Sequence, residues 1–320
     1  MNSTAIVSVT TASEVSSPIG EELERAAGYA QAEKSEATRK AYMSDFRHFG
    51  LWAQGRGLRI LPALPETVAA YLADQAARGA KPSTLGRRCA AIQYMHGSHP
   101  NPIADPRVKA VMRGIRRTHG AAPKRTAPAT AERIIAMAPQ PDGRLATLRD
   151  RALLLLGFAG AFRRSELVTL NVEDIEEVAE GLRVTIRRGK TDQEARGMVI
   201  AIVRGEIACP VAALRAWLEA ANITEGPIFR RIRRGDHVQP ERLTDRSVAD
   251  IVKAHAQRVG LDPATFSGHS LRSGFLTSAA RRGATLFKMM ATSRHRSAET
   301  VTAYVRDQEL FKDHAGAGLL

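Results

Sequence analysis

The chain has 320 residues, more than one small core needs and enough for two domains. Its 47 Lys and Arg outnumber 33 Asp and Glu for a formal charge of +14, which points to a polyanionic partner, nucleic acid before an acidic membrane surface. Two cysteines, Cys89 and Cys209, make neither a disulfide framework nor a zinc site, and no apolar run reaches membrane-spanning length, so a reduced, cytoplasmic setting is expected.

Residues 1–30 open on MNSTAIVSVTTASEVSSPIG, rich in Ser and Thr, without a basic segment followed by an apolar core. A disordered tail is expected there rather than a secretory leader. From Ser35 the spacing turns helical: Tyr42, Phe46, Phe49 and Ala53 recur on one face, with Arg39, Lys40 and Arg47 between them. A second helix is expected over 65–79, opening at Pro65 and stopping at Gly79. A third covers 81–97, with Pro82 in its first turn and Leu85, Cys89, Ile92 and His96 on one face. A fourth, over 105–120, is dense in Arg and Lys. Together they make a helical domain over 31–120. The stretch RTHGAAPKRTAPAT (117–130) has no apolar periodicity, which places a linker at 121–130. Lys124 and Arg125 give it charge suited to lying over DNA phosphates.

The remaining domain, 131–320, is mixed. AERIIAMA and RLATLRDRALLLLGFAG read as helices. GLRVTIRRGKTDQEARGMVIAIV (181–203) reads as a β-hairpin: Val184 and Ile186 alternate with polar residues, and Val199, Ile200 and Ile202 lie on the return strand. Helices are expected again at 209–222, opening at Pro210, and at 243–260, then as short pieces to the C-terminus.

Phosphodiester cleavage with metal needs clustered carboxylates, and no such cluster with metal spacing is present. Cleavage without metal needs cations on the non-bridging oxygens, a proton donor and a protein nucleophile. Arg163 and Glu166, three apart, share a face at the end of an apolar helix, where an ion pair is the plainer reading. His269 and Arg272 are also three apart, between Gly268 and Gly274, glycines that let backbone approach a ligand. Lys190 stands at the hairpin turn, where a lysine is ordinarily solvated. His295 precedes a helix with Ser297 as N-cap and Glu299 in its first turn, and Tyr304 projects from it. Alone, each has a structural reading; Tyr304 alone is an ordinary half-buried aromatic.

The order Arg-x-x-Glu, hairpin Lys, His-x-x-Arg, His, Tyr, in FRRSEL, GKTDQEARG, HSLRSGF and RHRSAETVTAY, resembles the tyrosine recombinases, or phage-integrase family, over roughly residues 33–316. The helical front is similar to that of the Cre-like members. The resemblance implies a mainly α fold with a small antiparallel sheet, arranged as a two-domain DNA clamp: a helical core-binding domain and a catalytic domain. It implies that Arg163 and Arg272 hold the scissile phosphate, Lys190 protonates the leaving 5′-oxygen and His269 acts as acid or base. It further implies that His295 hydrogen-bonds the phosphate, Glu166 supports the site and Tyr304 attacks. The implied reaction passes through a 3′-phosphotyrosyl link and a Holliday junction, without metal or other cofactor. Members often carry Gly-Leu-Arg where this chain has Ala161-Phe162-Arg163, and Leu-Gly-His where it has Ser293-Arg294-His295; both changes are expected to affect packing only.

Candidate DNA contacts are Arg39, Lys40, Thr84, Arg87, Arg88, Lys124 and Arg125, with Arg87 and Arg88 placed on the polar side of the third helix. Leu310 and Phe311 in the tail are candidate subunit contacts. The implied partners are duplex DNA, a homotetramer on two sites assembled from free monomers, and accessory DNA-bending proteins. Type IB topoisomerase-like relaxation and a non-catalytic accessory role are the alternatives.

Overall fold

The computed structural model describes residues 19–120, 126–187 and 197–308. The chain divides into two units, 1–124 and 125–320.

The first unit is helical. α1 (Gly20–Ala32) stands where the sequence suggested a tail. The correction has a simple cause: GEELERAAGYAQA is built of good helix formers, with Glu21 and Glu22 in the first turn and Arg25 paired to Glu21 one turn on. α2 (Glu36–Gln54) is capped by Ser35, whose side chain accepts from the Thr38 N–H. α3 (Pro65–Ala77), α4 (Pro82–His96) and α5 (Pro106–His119) each begin with proline, whose missing N–H costs nothing in a first turn. Their apolar faces meet in one core of Phe49, Ala53, Val68, Tyr71, Leu72, Leu85, Cys89, Ile92, Val108 and Met112. His96 lies inside it as a satisfied histidine: Nε2 accepts from the Ala63 N–H at 3.0 Å, so Nδ1 carries the proton it shares with the Ile92 carbonyl.

The second unit starts with α6 (Ala131–Met137) and the apolar α7 (Leu145–Ala159). α8 (Arg164–Thr169) follows, then β1 (Ile175–Val178), β2 (Gly181–Ile186) and β3 (Met198–Val203). These strands form one antiparallel sheet in the order β1-β2-β3, with Val184 opposite Ile200 and Ile186 opposite Met198. Ile200 and Ile202 face the core; Val199 points to solvent, as strand alternation demands. α9 (Pro210–Ala220) packs on α7, and Trp217, fully buried, donates to the Ile228 carbonyl at 2.9 Å. β4 (Arg230–Arg233) and β5 (His237–Arg242) form a separate hairpin that the sequence does not signal, because RRIR and HVQPER lack apolar alternation. Its Asp236 carboxylate caps the first N–H groups of α7.

α10 (Asp245–Arg258), α11 (His269–Arg281), α12 (Leu286–Ser293) and α13 (Ala298–Gln308) complete the unit. α11 to α13 gather around a small core of their own, Leu276, Ala280, Met289 and Val301, apart from the large one. Residues 126–130, expected within a linker, are bound to this unit: Ala127 donates to the Thr265 carbonyl and Ala129 to the Ser270 carbonyl. Among the described residues no helix is long and apolar enough to cross a membrane, and no three His, Cys, Asp or Glu side chains gather as a metal site would need.

Candidate active site

Four segments converge: the α7–α8 turn, the start of α11, the α12–α13 turn, and α13. Arg163 is not at the end of the apolar helix. α7 stops at Ala159, the chain turns through Gly160–Phe162, and Arg163 occupies the N-cap position of α8. Glu166, at the third helical position, accepts from the Arg163 N–H at 2.9 Å and from its guanidinium. The Arg-x-x-Glu spacing is thus a helix-start pattern as well as an ion pair.

Glu166 is 2% exposed and binds a second guanidinium, that of Arg294, at 2.7 Å. Burial alone would raise its carboxyl pKa. The Arg294 charge, the Arg163 hydrogen bonds and the Arg163 charge outweigh that and hold it below the ordinary range.

Arg272, on the first turn of α11, is 1% exposed. Its Nη1 donates to the Ala161 carbonyl at 2.7 Å, and its Nη2 lies 3.2 and 3.3 Å from the two ring nitrogens of His295. Burial, then the charges of Arg163 and Arg294, push its pKa down to about 9, which leaves it charged at neutral pH. Tyr304 is close enough for its phenol to oppose that shift. The Tyr304 ring is half-buried, packed on the small core under α11–α13.

His295 is oriented by Ser293, a fully buried residue that the sequence marked only as a change in packing. Ser293 Oγ gives its own proton to the Met289 carbonyl at 2.6 Å, so at 2.8 Å from His295 Nδ1 it must accept. Nδ1 therefore carries the ring proton and Nε2 is bare in the neutral form. Burial, then the charges of Arg272 and Arg163, push the His295 pKa down to about 4. His269 keeps an exposed edge; desolvation against the protein, then Arg272, Arg163 and Arg164, lower its pKa.

The two glycines beside His269 serve packing, not a ligand. A Cβ on Gly268 would stand 2.0 Å from Arg164 Cδ, and one on Gly274 would stand 1.9 Å from the Ala129 carbonyl oxygen. Arg164 thus lies along Gly268 and reaches Asp245 of α10 at 3.7 Å. Ala161 and Arg294 both have left-handed backbones, φ 45° and 58°. Arg294 was expected only to alter packing; its buried guanidinium instead joins the ionic cluster. No sequence signal marks it, because arginine is not a residue that left-handed turns select.

Lys190, Lys124, Arg125, Leu310 and Phe311 lie outside the described residues. In the first unit, Lys40 is exposed beside Glu36, while Arg39 and Thr84 are half-buried. Arg87 is exposed and grips the buried Asp45 with two hydrogen bonds, 2.6 and 3.1 Å. Arg88 is not on the polar side: its side chain is 13% exposed, donates to Gln75 at 2.8 Å and sits over the Tyr71 ring.

The phage integrase family matches residues 124–310, and the phage integrase N-terminal SAM-like domain matches 29–97. An integrase/recombinase XerD homologue of Selenomonas ruminantium is 42% identical over 292 residues, covering 88% of this chain and 85% of that protein. The tyrosine recombinase XerD of Pseudomonas aeruginosa is 27% identical over 302 residues, covering 88% and 92%. Among solved structures, the XerH site-specific recombinase in a post-cleavage complex with its difH substrate superposes with a TM-score of 0.61 at 15% identity, over 80% of this chain and 73% of that one.

Proposed function

Because the chain belongs to the phage integrase family, we propose that it is a site-specific tyrosine recombinase that breaks and rejoins duplex DNA through a covalent link on Tyr304. One observation carries the reading: Arg163, Arg272 and His295 belong to one contact network, in which Arg163 and Arg294 share Glu166, Arg294 and Arg272 share the Ala161 carbonyl, and Arg272 meets the His295 ring, with Tyr304 packed on the small core under α11–α13.

Arg163 and Arg272 would take the two non-bridging oxygens of the scissile phosphate, a task for which planar, permanently charged forks are suited. Tyr304 Oη attacks phosphorus and its proton leaves toward His269. The bond to the 5′-oxygen breaks, and Lys190 gives that oxygen its proton. A 3′-phosphotyrosine and a free 5′-hydroxyl result, and the 5′-hydroxyl of a partner strand reverses the step. Two rounds, through a Holliday junction, exchange the duplexes.

DNA is the proposed partner of both units. Arg39, Lys40, Thr84 and Arg87 are the contacts proposed for the first unit, and Lys124 and Arg125 for the segment that follows it. The working form is a homotetramer on two sites in a bacterial cytoplasm, with Leu310 and Phe311 at subunit contacts.

The test starts from DNA sites selected by binding and rebuilt as nicked duplexes. In EDTA, the protein should form an adduct whose 3′-phosphate is on Tyr304. No adduct, or one that survives Tyr304→Phe, refutes the assignment. Product topology separates exchange from relaxation.

A further inference from the structure

Arg294 is 6% exposed, at the left-handed position that ends α12. Its guanidinium crosses the site. Nη2 donates to Glu166 at 2.7 Å and to the Ala161 carbonyl at 3.0 Å. Nη1 donates to the Gly160 carbonyl at 2.9 Å and to the Thr292 carbonyl at 2.5 Å. The group also lies over the Phe162 ring, 5.2 Å from its centroid. A buried guanidinium is costly unless acceptors meet it, and here three of the four belong to the single stretch 160–166.

One side chain therefore ties two turns of the site together. His295 is the next residue in the chain. Arg163 shares Glu166 with Arg294 and donates to the Arg294 carbonyl at 3.4 Å. Arg272 shares the Ala161 carbonyl. Lysine lacks the planar fork to make these contacts at once.

We propose that Arg294 is a positioning residue for strand cleavage: its fork onto Glu166 and the Gly160 and Ala161 carbonyls sets the spacing of Arg163, Arg272 and His295 around the phosphate, without touching DNA itself. The proposal rests on the assignment of that set made above.

Two variants test it. Arg294→Gly keeps the left-handed backbone without strain and removes the fork; Arg294→Lys keeps a charge and loses the fork. The first readout needs no DNA. Nitrogen NMR of the imidazoles should show the His295 Nε2 signal moving as its contact with Arg272 is disturbed in Arg294→Gly, with no rescue in Arg294→Lys. Unchanged His295 signals overturn the proposal whatever the protein does on DNA.

The second readout is single-turnover cleavage at saturating DNA. Both variants should lose about 10–100-fold, the scale of an ångström of misplacement, with DNA affinity unchanged. Adding Glu166→Gln to Arg294→Gly should cost less than the product of the two single losses, because both remove the Glu166–Arg294 connection. Wild-type cleavage in Arg294→Gly, or losses that multiply, overturn the proposal. Should Arg294→Gly fail to fold, Arg294→Lys carries both readouts. A wild-type protein that forms no adduct refutes the recombinase assignment instead, and the NMR readout still decides the role of Arg294.

Discussion

Gly274 and Ala129 meet backbone to backbone: a Cβ on Gly274 would stand 1.9 Å from the Ala129 carbonyl oxygen and 2.3 Å from its carbon. The obstacle is main chain, so no side-chain rotation relieves it. Gly274→Ala should cost about 1–3 kcal/mol of stability, read as a lower urea midpoint. Cleavage should fall with it, because α11 carries His269 and Arg272.

Arg163→Lys and Arg272→Lys should each slow cleavage by roughly 10²–10³, the cost of one lost donor to a developing oxyanion. Rapid-quench measurement of adduct formation at saturating DNA is the check. A loss confined to DNA affinity would mean that these arginines serve binding alone.

Glu166 should show in the acid limb of stability. Its folded pKa lies below the reference 4.5, so its contribution is complete above that pH and disappears as pH falls through the folded value. Urea midpoints from pH 6 down to about 3 should fall less steeply in Glu166→Gln than in the wild type. Glu166→Ala, which strands two guanidinium groups, should cost about 3–5 kcal/mol at neutral pH.

His295 should take up a proton when DNA binds. Free, its pKa is about 4 and its Nε2 is bare. A phosphate anion beside the ring raises that pKa. Affinity should therefore increase as pH falls from neutral toward about 5, and His295→Gln should lose that slope. In the free protein the sign is opposite. The depressed pKa contributes stability above the reference 6.5, and that contribution is lost as pH falls toward 4.

Much of the candidate site was legible because the phosphoryl chemistry proposed for it selects residue types, and Arg163, Arg272, His295 and Tyr304 stand out by type and order. Helix starts were legible for the same kind of reason, since Ser35, Pro65 and Pro82 act locally. What escaped depends on partners distant in sequence or on backbone alone. Arg88 looked like a groove contact, but Gln75 and Tyr71, on another helix, hold it inward. Ala161 and Arg294 give no sign in sequence of a positive φ. Ser293 looks like any helix-end serine until the Met289 carbonyl fixes its proton.

The four-residue core beneath α11–α13 sets where this domain gives way first. A helix resting on Val301 and the half-buried Tyr304 and Val305 has little apolar surface to lose on detaching, compared with the Leu-rich α7 in the large core. Amide protons of α13 should exchange well before those of α7, at a cost far below that of unfolding the domain. Tyr304, the proposed nucleophile, thus rides on a helix held by little apolar surface, and its detachment should stop the proposed chemistry while leaving Arg163, Glu166 and Arg294 joined.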